Sequence, residues 1–419
     1  VVTAADVDLF VSKVIGYETP LDPTYQDSPL FLAEVLFPAD YNGTQSITTD
    51  GAQLSDDLIN VYVPPGIPVR RRYETYDMYP GSLQLDLTSS LADLDAGYNL
   101  VNHMGHGFRY NMSVGDRSLI NSDAEALTNG DKRFLLYMLN CTATAFDFPC
   151  LAEAFLLAPG GAVGVLGSSR AAFPLPAFNY NNAFFEALYE DSVAAVGKAF
   201  VESRLPFTPN ALLDTSDHYS HFLYNMLADP EMNVHTCSLL TTAVTFPSTV
   251  PLGETQVAIN VTAGGLPSAN ARVCLQKDVE EYVWGLTDAN GDVTLSFVAE
   301  SAGSVDLTVS GQNITTFEST ISVDASTGAY VHVTGMTLDD DGSGSSVGNG
   351  DAAMDSGETI ELSVDFRNDG NVQATNVTGI LRSLSPQLTV LDSTYSLGTI
   401  AASGTANTSA LRILADKNT

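Results

Sequence analysis

The sequence predicts an α/β protein, a mostly parallel sheet flanked by helices, followed by two all-β sandwich modules. Three observations carry that prediction. From Val1 to Cys237 short apolar runs alternate with amphipathic stretches, the pattern of a parallel sheet covered on both faces. Runs such as "FLLYML" and "AVGVLG" are apolar throughout, as strands buried on both sides must be. After Cys237 the helical period stops, and short alternating stretches punctuated by Gly, Asn and Asp take over.

Element by element, helices are expected at Ala4–Tyr17, Gln53–Val61, Ser89–Leu94, Ser122–Leu127, Cys150–Leu157, Asn179–Tyr189, Val193–Ser203 and Tyr219–Ala228. Buried strands are expected at Leu30–Phe37, Val69–Tyr73, Asn99–His103, Arg133–Asn140 and Ala162–Gly167. Residues 238–325 read as a β-sandwich of immunoglobulin-like type, with "TDANGD" as a hairpin turn whose Asn-Gly suits positive φ. Residues 326–419 read as a second such module, truncated by the end of the chain, with "ETIELSVDFRNDG" and "NVTGILRSL" as strands. Residues 1–237 form the first domain in this division.

Composition narrows the function. Fifty acidic residues against 17 basic ones leave a formal charge of −33. No basic face is available to displace counterions from phosphates, so nucleic acid is excluded as a partner. The same charge favours solubility and cationic partners. Four cysteines, Cys141, Cys150, Cys237 and Cys274, are too few and too scattered for a disulfide framework. No run approaches the roughly 20 apolar residues of a membrane-spanning helix. The chain opens inside a predicted helix and closes on a polar tail, so it reads as a piece of a longer one, with any targeting segment outside it.

Two strand ends carry the chemistry. "NLVNHMGHGFRY" places His103 and His106 in a Gly-rich turn after one apolar run. "RFLLYMLNCTATAF" places Cys141 at the end of the next. In an open parallel sheet, sites form outside the carboxyl ends of the strands, so an imidazole and a thiol meet at one edge. A nearby imidazole stabilises the thiolate, which is the nucleophile. The backbone N–H groups of Gly107 and Cys141 are placed to face a developing oxyanion. A buried Cys is more often a small hydrophobe, and a zinc site of His103, His106 and Cys141 is a further reading of the same residues. His106, between two glycines, is freer to enter a cleft than His103. Cys150 heads a helix, where packing is the ordinary role, and His218 and His221 read as core or surface residues.

"NHMGHG", then "SDAEALTNGDKRFLLYMLNCTATAFDFPCLAEAFLLAPGGAVGVLGSSR", then "YNMLADPEMNVHT" resemble the gingipain family of cysteine peptidases. The likeness runs in one order from about Ala4 to Thr236. It implies a caspase-like fold, with His106 as the general base and Cys141 as the nucleophile. It also implies that Gly167, Ser168 and Ser169 line the substrate cleft and that an immunoglobulin-like domain follows. No cofactor is required for such catalysis. The resemblance further implies protein or peptide substrates and an extracellular or cell-surface location. Some members of the family cleave after Arg or Lys through an acidic residue in the first pocket, and no acid of this chain is singled out for that role. There are departures from the family pattern. "CTATAF" has no Gly where the family carries a Gly-containing turn, no acid upstream of His103 matches the family's orienting residue, and an earlier half-domain is expected to precede this chain.

A second candidate site is "LDDDGSGSSVGNGDAAMDSGETIEL". Asp339, Asp341, Asp351, Asp355 and Glu358 offer the carboxylate oxygens that a structural calcium takes, although the spacing is not that of an EF-hand, and a solvated acidic linker is the plainer reading. The expected function is a secreted cysteine endopeptidase. The alternative is a non-catalytic adhesion or scaffold protein of the cell surface that keeps the same fold.

Overall fold

The computed structural model describes residues 3–324 and 328–416. The chain forms two compact units, Val1–Thr242 with Ser310–Thr316, and Ala243–Val309 with Phe317–Thr419. The first unit therefore runs past the expected boundary at residue 237 and takes back a short segment from far along the chain. The expected boundary at residues 325/326 lies outside the described residues.

The first unit is built on a seven-stranded sheet. Its strands are β1 (Pro29–Ala33), β2 (Arg70–Tyr73), β3 (Leu83–Gln84), β4 (Leu100–Met104), β5 (Phe134–Leu139), β6 (Ala162–Ser168) and β7 (Tyr224–Leu227). Their spatial order is β7-β6-β5-β4-β1-β2-β3. All neighbours are parallel except β6 and β7. Side chains alternate faces along each strand, and both faces are dry. Leu135, Tyr137 and Leu139 of β5 join one core with Phe31, Phe184 and Phe185. Phe134, Leu136 and Met138 join the other with Leu30, Leu32 and Phe155.

Helices cover both faces: α1 (Ala4–Glu18), α2 (Gly51–Tyr62), α3 (Leu87–Ala96), α4 (Leu151–Leu157), α5 (Pro174–Tyr189), α6 (Val196–Glu202) and α7 (Thr215–Leu223). α1 begins with a capping box between Thr3 and Asp6, which satisfies two otherwise orphaned N–H groups. Lys13 of α1 is wholly buried. Its ammonium donates to the carbonyls of Phe155 (3.2 Å), Leu156 (2.9 Å), Ala158 (2.9 Å) and Gly160 (2.6 Å). A cation at the carboxyl end of α4 thus meets the carbonyls that the helix cannot pair itself.

The expected helix Tyr219–Ala228 is corrected: it ends at Leu223, and Tyr224–Leu227 is the antiparallel edge strand, with Val165 opposite Leu227. "YNML" contains no breaker, so only pairing with β6 makes it extended. The recovered segment is held within the first unit by Asn313. Its side-chain oxygen accepts from the N–H of Thr236 (2.7 Å) and Cys237 (3.2 Å), and its own N–H donates to His235 Nδ1 (3.1 Å).

The second unit is all β. Strands Gly253–Ala263 and Asp292–Ala299 pair antiparallel along their length, and Val331–Asp339, Thr359–Asn368 and Thr405–Ala415 form a later antiparallel sheet. The acidic loop is ordered from inside by Asp340, which is not among the residues expected there. Asp340 is buried, and its carboxylate accepts from the N–H of Gly350, Asp351 and Ala352, each at 3.1 Å. Glu358 accepts from Asn349 and Asp355 N–H. Among the described residues no group of three or more His, Cys, Asp or Glu is placed to hold a metal ion. Of the expected set of Asp339, Asp341, Asp351, Asp355 and Glu358, Glu358 is committed to backbone donors, as is the buried Asp340 beside it.

Candidate active site

β4 and β5 are parallel neighbours, with Leu100 opposite Leu135 and Met104 opposite Leu139. The ladder continues one bond further, from Gly105 N–H to the Leu139 carbonyl (3.1 Å). His106 and Cys141 each lie two residues beyond those last paired positions, so the register alone brings them to the same level at the carboxyl edge. Both line a single cavity of about 240 Å³. Cys141 is half-buried, and its sulfur receives the Ala172 N–H at 3.4 Å.

The GHG turn is shaped by a buried carboxyl. Glu34, one residue past β1, accepts the N–H of His106 (3.0 Å) through one oxygen and that of Gly115 (3.0 Å) through the other. Burial pushes its pKa up to about 8, with backbone donation from His106 opposing the rise and the charge of Glu74 adding to it. A side chain at Gly105 would put its Cβ 2.5 Å from the same carboxyl, which explains the first glycine. The second is explained by Asn140, which a Cβ on Gly107 would meet at 2.8 Å.

The His106 ring places Nε2 3.1 Å from the Val35 carbonyl. A carbonyl only accepts, so Nε2 carries the proton of the neutral ring and Nδ1 is the basic nitrogen. Val35 is itself held by Glu74, whose carboxylate accepts its N–H at 2.8 Å. Glu74 sits one residue past β2. Burial raises its pKa, and the Val35 N–H on its carboxylate partly offsets that rise. Glu34 and Glu74 act on the imidazole through backbone groups, and the sequence reading passed over both. The signal was present in "LFLAE" and "RRRYE", each an apolar or buried strand ending in a glutamate at the edge that carries the site.

His103 has a different role. It is wholly buried, its Nε2 donates to the Ser113 carbonyl (2.8 Å), and Asn140 Nδ2 approaches its Nδ1 at 3.4 Å. Burial drops its pKa to about 4, so it is a neutral pin across the turn. The zinc reading of His103, His106 and Cys141 is not supported by this arrangement. His218 and His221 bond within the helical layer, to the Ala211 carbonyl and to Tyr180 and the Asp217 carbonyl. Burial raises the pKa of the Cys150 thiol, in keeping with packing.

Two backbone N–H groups at this edge are not taken up by ladder partners. Ser113 N–H donates to the His106 carbonyl (2.9 Å) beside the Gly107/Met112 pair, so that pair exchanges no bonds itself and the Gly107 N–H turns away from its neighbour. Among the described residues no acceptor takes the Cys141 N–H. Thr142 then adopts φ +64°, a left-handed conformation that costs a β-branched residue on the order of 1–3 kcal/mol. The turn without glycine keeps its shape because Thr142 N–H donates to the Arg170 carbonyl (3.0 Å) and Thr144 N–H to the Ser168 carbonyl (3.0 Å). Thr142→Gly is expected to raise stability by up to about 1 kcal/mol, read as an upward shift of the melting curve.

Gly167, Ser168 and Ser169 are buried, and the structure corrects their expected place on the cleft wall. The Ser169 hydroxyl donates to the Leu223 carbonyl (3.0 Å), the Ser168 hydroxyl to that of Arg170, and Gly167 packs on Thr144. The wall on this side begins at Ala172 and continues through Pro174 into α5.

A sheet of this order, with an imidazole and a thiol at equivalent positions past adjacent strands, is the architecture of a cysteine peptidase family. Residues 1–235 match Peptidase family C25, and the chain belongs to that family. Its curated relatives include Lys-gingipain of Porphyromonas gingivalis, 24% identical over 253 residues, which are 54% of this chain and 14% of the relative. Lys-gingipain W83 of the same organism is 24% identical over 258 residues, covering 55% of this chain and again 14% of the relative. The chain thus matches only a small share of those proteins. Among solved structures, the Arg-specific cysteine proteinase gingipain R superposes with a TM-score of 0.65 at 17% identity, over 77% of this chain and 74% of that one. A structure described as a protease gives 0.63 at 21% identity, over 77% and 73%. These likenesses establish the gingipain, caspase-like fold predicted from the sequence.

Proposed function

We propose that the chain is a cysteine endopeptidase working through Cys141 and His106. His106 takes the thiol proton as Cys141 Sγ attacks the peptide carbonyl, and the N–H groups of Gly107 and Cys141 hold the oxyanion. The proton then passes to the leaving amine. Water, deprotonated by the same imidazole, hydrolyses the thioester and frees the thiol. The observation that carries this reading is the placement of His106 and Cys141 at one level past adjacent parallel strands, in the wall of one cavity. Glu34 and Glu74 position the imidazole, and no cofactor is needed.

Reactivity should single out one thiol. Burial raises the pKa of Cys150, Cys237 and Cys274, whereas Cys141 opens into the cavity with an N–H donor on its sulfur. Limiting iodoacetamide at neutral pH, followed by peptide mapping, is expected to label Cys141 at least ~10-fold faster than the other three. Labelling no faster than that of free cysteine, together with no cleavage of unfolded protein, would favour the alternative: an adhesion or scaffold protein keeping the fold without turnover.

Protein substrates follow from this reading, as does an extracellular or cell-surface location. Among the described residues no helix is long and apolar enough to cross a membrane. A structural calcium at the acidic loop is a separate proposal, supported by carboxylate content alone. It would require Asp339, Asp341, Asp351 and Asp355 to regroup around Glu358, and identical melting curves in calcium and in chelator would dismiss it.

A further inference from the structure

We propose that the cavity beside Cys141 receives the side chain of the residue whose carbonyl is attacked, and that it selects an aromatic or leucine-like side chain over lysine and arginine. The proposal rests on the peptidase reading above and deepens it.

Position comes first. The attacked carbonyl carbon must come within about 3–3.5 Å of the sulfur. The side chain on its acyl side hangs from the very next carbon, so it has to enter space bordered by the sulfur itself. The cavity that Cys141 and His106 share is that space.

The chemistry of the wall decides what enters. Leu36, Leu54, Leu139, Ala172, Pro174 and Phe178 form much of it, and apart from Asn140, His106 and Cys141 the remaining positions are apolar or glycine. Among the described residues no carboxylate lines it. Three acids near the site are already engaged: Glu34 with the amides of His106 and Gly115, Glu74 with the amide of Val35, and Asp147 in a paired contact with Arg170. A guanidinium or ammonium seated among these side chains would lose its hydration without gaining a counterion. An aromatic ring would lose nothing.

Size agrees. A cavity of about 150 Å³ lined by Leu, Ile and Phe is enough to bind benzene, so the 240 Å³ here holds a phenyl or isobutyl group with room to enter. The relatives whose printed names carry Lys and Arg specificity are therefore expected to differ from this chain at this pocket. The overall charge of −33 draws basic peptides toward the surface at long range, but it does not place a charge inside the cavity.

The test uses the full chain and fluorogenic peptidyl coumarin amides that differ only in the residue before the scissile bond: Phe, Leu, Ala, Lys or Arg. One shared leaving group keeps the other side of the site constant. In parallel, peptide aldehydes of the same five residues bind the thiol reversibly and are read by thermal shift without turnover. Phe or Leu is expected to lead, ~30-fold or more above Ala in kcat/KM, with Lys and Arg at least ~10²-fold below the leader. The aldehydes should rank in the same order. Lys or Arg leading, or no dependence on the side chain, would overturn the assignment. Aldehydes that rank as expected while no amide is cleaved would uphold the pocket and remove the peptidase reading. Failure of both series would remove both. Ala177→Asp, within the cavity wall, and Ala39→Asp, at its exposed rim, each supply the missing carboxylate. Either is expected to raise the rate on Lys and Arg at least ~10-fold while lowering that on Phe. Folded variants with an unchanged ranking would overturn the proposal.

Discussion

Glu34→Gln is expected to lower kcat/KM by about 10²-fold while the protein stays folded. The carboxyl takes one N–H on each oxygen, that of His106 and that of Gly115. An amide offers a single oxygen, so its NH2 group must face one of two backbone donors, and one bond becomes a repulsion. Either outcome shifts the turn that aims His106, and a displacement near 1 Å in a reacting group costs about that factor. Alkylation of Cys141 should slow as well. The substitution also leaves a signature in stability. The unfolded carboxyl ionises near pH 4.5, whereas the folded one holds its proton to about 8. Across that window the folded state binds more protons, so the contribution of Glu34 is full below pH 4.5 and is lost as the pH rises through 8. The stability difference between the native chain and Glu34→Gln should therefore shrink by a few kcal/mol from pH 4.5 to 8, as read by urea denaturation. A difference that stays flat would show that the carboxyl is ionised throughout.

Lys13→Met is expected to be the most destabilising single change in the first unit, by about 3–5 kcal/mol. Methionine keeps the apolar stem, so the loss isolates the ammonium. Four carbonyls at the end of α4 would be left buried without a donor. Burial draws the lysine pKa down to about 7, with Arg133 adding to the effect, yet only the charged form offers three donors to those oxygens. Thermal unfolding should fall by roughly 10 °C, and Lys13→Arg should recover little, because a planar guanidinium cannot aim at four converging carbonyls. A loss under 1 kcal/mol would mean that water replaces the ammonium at no cost.

The sheet was legible because its central strands are apolar on both faces, and "FLLYML" can be little else at that length. The meeting of His106 and Cys141 was legible for the same reason: two such strands in succession, each ending in a reactive side chain, place those ends at one edge. What escaped notice lay in pairings that no local pattern records. Tyr224–Leu227 is extended only because β6 lies beside it. Glu34 and Glu74 touch the imidazole through main-chain groups, so neither looks like a partner of histidine in a list of side chains. Thr142 holds a conformation suited to glycine because the bonds from Thr142 and Thr144 N–H to the Arg170 and Ser168 carbonyls require it. The Ser168 and Ser169 hydroxyls turn inward to carbonyls, and the cleft wall begins after them. In the acidic loop the count of carboxylates pointed to a cation, while the ordering falls to the two buried members, Asp340 and Glu358, which accept from backbone N–H groups.

The residues from Ser310 to Thr316 carry a consequence for how the protein is made. Asn313 completes hydrogen bonds for Thr236, Cys237 and His235, yet it leaves the ribosome more than 70 residues after them, at a synthesis rate of roughly 5–20 residues per second. For several seconds the nascent first unit is therefore unfinished, with its last amides waiting on a stretch still in the exit tunnel. Chain elongation through the intervening strands becomes part of the folding schedule, and full assembly of the first unit is deferred until the region after it has begun to emerge.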